Sequence, residues 1–343
     1  MPTWISVQIA RPHLTRLVLD GMALTFGPLD FDEKYKINVS SLQTVSCTRQ
    51  VNHSIDLLPF SDALKELGSV LSAKCLGSWS RPANTSGGIN LMLTLAVQAA
   101  GDIRRKAMPA QLVQETVTLK VEDGTQMAAY IARPKDTKRL PGIIVLQEAF
   151  GVNSHIRDVT ERLAREGYVA VAPELFHRTA PGFQGDYKDF QSVMPHVRAV
   201  TVQTAEADLR STLEWLRAAR FAQSEQVYSV GFCMGGRISF LANAVLPLRA
   251  AASFYGAGIA PDLLDRASAL HGPMLLIWGG QDKHIGPEQR AAVAEALGKS
   301  GKTYVNAEFS DADHGFFCDE RASFQPRAAR QAWALLLEFL RSY

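Results

Sequence analysis

The stretch Gly231-Phe232-Cys233-Met234-Gly235-Gly236 constrains the fold more than any other part of the chain. Val227-Tyr228-Ser229-Val230 precedes it and predicts a short strand, and Arg237 to Ala242 follows and predicts a helix. A strand joined to a helix by so short a turn pushes its central residue into a strained backbone conformation. Small residues must flank that residue, because a β-carbon there would collide with the neighbouring strand or helix. The side chain of Cys233 then stands clear of the sheet at the positive end of a helix, where a thiolate is favoured. This is the pattern of a nucleophile elbow, although its usual residue is serine. On the hexapeptide alone, Cys233 reads equally well as a buried small hydrophobe or as a nucleophile.

Composition narrows the partners. With 47% hydrophobic and 20% charged residues over 343 positions, the chain can bury a sizeable core as one large domain or two smaller ones. A net charge of +2 points to neither nucleic acid nor an anionic membrane as partner. Cys47, Cys75, Cys233 and Cys318 form no Cys-x-x-Cys pair and no Cys/His cluster of zinc spacing, so reduced thiols and no metal are expected. Met1-Pro2-Thr3-Trp4-Ile5 has no basic start followed by an apolar run, and Ile89 to Ala100 is too short to span a bilayer. The expected location is the cytoplasm, and the expected state a monomer or small homo-oligomer.

Two unlike parts follow one another. Residues 1–107 alternate short apolar runs with Pro, Gly, Asn and Ser clusters, without a lasting period or motif. They are expected to be an extension of unknown fold, poorly ordered or read from a misplaced start codon. From residue 108 to 343 the signals are regular. Strands are predicted at Glu115–Val121, Met127–Arg133, Gly142–Leu146, Val169–Ala172, Ala250–Phe254, Met274–Trp278 and Thr303–Phe309. Helices are predicted at His155–Glu166, Ala205–Arg220, Pro287–Lys299 and Pro326–Tyr343. Such alternation predicts an α/β fold, a mostly parallel central sheet with helices on both faces, and ligands beyond the carboxyl ends of its strands.

A cysteine nucleophile gains from an imidazole base, itself oriented by an acid. Asp282 follows the strand Met274–Trp278 and the turn Gly279-Gly280-Gln281, and His314 lies in Asp311-Ala312-Asp313-His314-Gly315-Phe316 before the last helix. The order nucleophile, acid, histidine is that of α/β-hydrolases. Asp282 also reads as a plain turn residue, Asp311 and Asp313 are rival acids, and His284 is a rival base at the pocket rim. For an oxyanion hole, the backbone N–H of Met234 opens the elbow helix, and that of Ala149 lies in the loop Gln147-Glu148-Ala149-Phe150-Gly151. Glu148 reads as a solvated loop charge or as a carboxylate facing the thiol.

With these motifs, residues 112–343 resemble the dienelactone hydrolase (carboxymethylenebutenolidase) family of the α/β-hydrolase superfamily. The resemblance implies cofactor-free hydrolysis of a small-molecule lactone or carboxylic ester through a thioester on Cys233. His314 and Asp282 would complete the triad, Ala149 and Met234 would hold the oxyanion, and Glu148 would join in activating the nucleophile. Where well-known members grip a carboxylate with arginine, this chain has Cys318, and the nearest arginine is Arg321. Phe150, Arg157, Arg237, Tyr255 and Phe316 are the remaining candidates for contact with substrate. Two other functions fit the same fold: a thioesterase or other acyl hydrolase, and a catalytically silent protein binding a small hydrophobic ligand.

Overall fold

The computed structural model describes residues 111–135 and 139–343 in full, and of the first 110 residues only the backbone of short strands. Contacts divide the chain into two compact units, Met1–Ala107 and Met108–Tyr343. In the first, the backbone of Leu14–Leu19 pairs antiparallel with Ser6–Arg11 and with Met22–Phe26. The expectation of a poorly ordered extension or a misplaced start lies outside the described residues.

The second unit is an eight-stranded sheet with helices between its strands. Its elements are β1 (Leu112–Lys120), β2 (Gln126–Pro134), β3 (Leu140–Leu146), α1 (Ser154–Arg165), β4 (Val169–Pro173), α2 (Phe190–Ala199), α3 (Val202–Ala218), β5 (Ala222–Phe232), α4 (Met234–Val245), β6 (Ala250–Phe254), β7 (Met274–Gly279), α5 (Pro287–Lys299), β8 (Tyr304–Phe309) and α6 (Pro326–Arg341). A short 3-10 turn covers Leu264–Ala269. The order across the sheet is β1-β2-β4-β3-β5-β6-β7-β8. The β1–β2 and β2–β4 pairs are antiparallel, and every other pair is parallel. This is the α/β-hydrolase sheet that the residue pattern predicts.

The pattern of side chains explains the layering. Every residue of β4, β6 and β7 is buried, as a strand covered on both faces requires. Helix α1 buries Ile156, Val159 and Leu163 on one stripe, and the Asn153 side chain caps it by accepting from the Ile156 N–H at 3.2 Å. Phe232 at the end of β5 stacks on Phe317 at 5.3 Å and meets Phe254 at 4.7 Å, so aromatic rings fill the space beneath the elbow.

Two elements differ from expectation. Helix α2 was not foreseen: it carries Pro195 inside and buries only Val193, so it has no apolar stripe to betray it. Strand β5 starts at Ala222, ahead of the predicted run. It pairs Pro141 with Gln223 and then Gly142 with Val227, so the polar residues between bulge out of register and hide the strand. Among the described residues, no helix is long and apolar enough to cross a membrane.

The neighbours of β3 are β4 on one side and β5 on the other. The chain therefore departs in opposite directions on either side of β3, and a crevice opens beyond the strand ends there. Leu146 pairs with Gly231, which sets the Gln147–Gly151 loop directly beside the elbow.

Candidate active site

Cys233 sits at φ 53°, ψ −117°, one of two non-glycine residues with positive φ among those described. The glycines around it are required by contact. A β-carbon on Gly231 would fall 1.8 Å from the Gly235 carbonyl oxygen, one on Gly235 2.2 Å from that of Leu146, and one on Gly236 2.7 Å from that of Phe254. The elbow is thereby pressed into the end of the sheet, and the Cys233 N–H donates to the Phe254 carbonyl at 3.0 Å. Cys233 itself remains half-buried and is a free thiol. Met234 opens α4, so its N–H is one of those a helix leaves without an internal partner.

Asp282 and His314 come together from two neighbouring strand ends. Asp282 follows β7 and His314 follows β8, and His314 Nδ1 lies 2.8 Å from Asp282 Oδ2. The other oxygen, Oδ1, accepts the N–H groups of His284 and Ile285 at 2.8 and 3.2 Å. Burial pushes the Asp282 carboxyl upward, yet His314 and these two N–H groups hold it below its ordinary value. Burial likewise opposes charge on His314, but Cys233 beside the ring and Asp282 behind it push its pKa up to about 10. The three side chains thus lie together, with the imidazole between sulfur and carboxylate. The rivals are engaged elsewhere: Asp311 pairs with Arg327, Asp313 accepts the His314 backbone N–H at 2.7 Å, and exposed His284 only meets the His314 ring edge-on at 5.0 Å.

Glu148 is fully buried rather than solvated. Its Oε1 accepts from Arg321 Nη1 at 3.2 Å, while Oε2 has no hydrogen-bond partner. The Arg321 guanidinium also lies over the rings of Phe150 and Tyr187, at 5.8 and 5.7 Å from their centroids. Gln147 staples this loop to the chain after β4 by accepting the Leu175 N–H at 3.1 Å. Gly151, at φ 81°, lets the loop pass beneath Phe183, whose carbonyl oxygen a β-carbon would meet at 2.0 Å.

Tyr255, the other residue with positive φ, is buried 5.1 Å from the His314 ring, and Phe316 packs 5.6 Å from Tyr255. Burial pushes the Tyr255 hydroxyl well above its ordinary pKa, and no hydrogen-bond partner meets its oxygen. Arg157 and Arg237 are held apart from this group. Arg157 donates to the Val152 carbonyl and stacks on Tyr130, and Arg237 pairs with Asp262 at 3.4 Å. Sequence reasoning did not find Arg321 as the partner of Glu148, because 173 positions separate them and no motif joins them. Nor did it foresee Tyr187, whose hydroxyl accepts from Asn153 at 2.8 Å and from the Cys318 thiol at 3.3 Å.

The comparisons with known proteins agree with this architecture. A sequence profile described as the dienelactone hydrolase family matches residues 127–343. A Synechocystis protein bearing the unproven name carboxymethylenebutenolidase is 37% identical over 232 residues, covering 64% of this chain and 94% of its own length. A Salmonella typhimurium protein of the same name is 34% identical over 248 residues, covering 68% and 90%. Among solved structures, a protein from Klebsiella pneumoniae assigned as a dienelactone hydrolase matches at TM-score 0.63 and 33% identity, covering 68% of this chain and all of its own. With a match that runs from β2 through the last helix, the chain belongs to the dienelactone hydrolase family.

Proposed function

We propose that this chain, a hydrolase acting on carboxylic esters or lactones, works through Cys233, His314 and Asp282 and a thioester intermediate. One observation carries the reading: Cys233, at a strained elbow, lies beside the ring of His314, which Asp282 grips from behind at 2.8 Å. The Cys233 sulfur attacks the substrate carbonyl, and the N–H groups of Ala149 and Met234 take the charge that develops on its oxygen. Collapse of the tetrahedral adduct breaks the C–O bond, and His314 gives its proton to the departing alkoxide. The neutral ring then draws a proton from water. The hydroxide attacks the thioester, and the acid and the thiolate–imidazolium pair are regenerated.

Glu148 has two roles in this reading. At rest it is the counter-ion of Arg321. An anionic substrate that takes over Arg321 frees the carboxylate, whose negative charge then repels the thiolate and favours its attack on the carbonyl. Tyr255 and Phe316 form the apolar wall beside His314, and Phe150 forms the wall beneath Arg321.

The test is a panel of aryl esters, lactones and acyl-thioesters on the full chain, with Cys233→Ala and His314→Ala beside it. Both variants should fold and lose ester and lactone turnover. Near-full activity of Cys233→Ala would sink the mechanism, and turnover of thioesters alone would replace esters by thioesters as the substrate class.

A further inference from the structure

Glu148, His155 and Cys318 come from β3's loop, α1 and the segment before α6, and each offers a donor atom within 4.8 Å of the other two. All three are buried, at 0%, 2% and 0% exposure. Two of these donors lack partners: Glu148 Oε2 and His155 Nε2 make no hydrogen bond. Buried polar atoms are rarely left so, and two side chains that each carry one, gathered beside a thiol, call for a ligand.

We infer that Glu148 Oε2, His155 Nε2 and Cys318 Sγ form a binding site for a thiophilic divalent cation of the zinc type, one whose filling silences the hydrolase. A carboxylate, an imidazole and a thiol are the donor set such an ion prefers, and three protein ligands leave a fourth position for water. Bonds of about 2.0–2.3 Å place tetrahedral donors under about 4 Å apart, so the cluster closes by at most about 1 Å on binding. The surrounding groups suit the ion. Asp319 Oδ1 lies 4.0 Å from His155 Nδ1, and a closer approach on binding would supply the carboxylate that orients metal-bound histidines. Tyr187 already accepts a hydrogen bond from Asn153, so its own O–H is free to donate to a Cys318 thiolate.

Binding is coupled to a proton. The buried Cys318 thiol enters as S–H, donating to the Tyr187 hydroxyl at 3.3 Å. The cation displaces that proton to solvent, the S–H bond breaks as the metal–sulfur bond forms, and affinity rises with pH. Arg321 keeps Glu148 Oε1, and its positive charge sets a ceiling on affinity. The site shares Glu148 with the proposed mechanism, and the silencing rests on that reading, because a metal-bound Glu148 no longer answers to substrate.

Cobalt(II) is the probe, since a thiolate-bound cobalt absorbs where the free ion does not. The full chain should bind one equivalent with a thiolate-to-cobalt band. The band should be unchanged in Cys233→Ala and lost in Cys318→Ala. His155→Gln should weaken binding at least tenfold. Metal-free Cys318→Ala should turn over ester at the wild-type rate, which establishes its fold, and should resist zinc concentrations that stop the wild type. No band in the wild type, a band retained in Cys318→Ala, or a band lost in Cys233→Ala would each overturn the site. Equal zinc sensitivity of wild type and Cys318→Ala would overturn the silencing. Loss of ester turnover in metal-free wild type would instead count against the proposed hydrolysis and leave the cobalt result standing.

Discussion

The backbone of Cys233 stores strain, and two truncations measure it. Both Cys233→Ala and Cys233→Gly remove the sulfur and its influence on His314, so those losses cancel in the comparison. What differs is a β-carbon on a backbone at φ 53°, ψ −117°. A residue held in so sparsely populated a region costs about 1–3 kcal/mol. Glycine relieves that cost but loses about 0.5–1 kcal/mol through the freedom of its unfolded chain. The Gly variant should therefore be the more stable by about 1 kcal/mol, equivalent to about 2–4 °C in midpoint for a unit of this size. Urea and thermal unfolding of the two variants, followed by circular dichroism in parallel, read the difference. A Gly variant equal to or weaker than the Ala variant would refute the claim that the nucleophile is held under strain.

Three further outcomes follow from the same geometry. Gly235→Ala places a methyl 2.2 Å from the Leu146 carbonyl and 2.5 Å from that of Gln147, both backbone atoms, so it should cost more than about 4 kcal/mol or yield no soluble protein. Arg321→Ala leaves Glu148 buried without its counter-ion and should lower stability by about 3 kcal/mol in urea unfolding, with Arg321→Ala/Glu148→Ala recovering part of the loss. His314 takes up a proton on folding, because its pKa rises from 6.5 to about 10. The stability it confers over His314→Gln should be full below pH 6.5, shrink as pH rises, and vanish near pH 10, as urea midpoints across that range would record.

The sequence made the backbone of the site legible because the elbow, Asp282 and His314 each sit on a short motif after an apolar run. The chain order of three such motifs is a local signal. Chemistry assembled from distant positions was not legible in the same way. Glu148 read as readily as a solvated charge, since nothing near it in the chain announces Arg321. His155 read only as the start of a helix, although its ring is buried beside Glu148 and Cys318. Cys318 stood out as a missing arginine, and its thiol proved to be packed against Tyr187. Helix α2 escaped because it lies on the protein with one buried residue and a proline inside, and such an element leaves no period in the sequence.

The tight seat of Gly235 on the carbonyls of Leu146 and Gln147 has an evolutionary consequence. The spacing between the nucleophile and the Gln147–Gly151 loop is fixed by main chain against main chain, with no side chain as intermediary. Residues such as Phe150 and Tyr187 can therefore drift, and new acyl groups be admitted, without the attacking sulfur losing its alignment. Innovation in a lineage built this way is cheap at the rim and forbidden at the glycines.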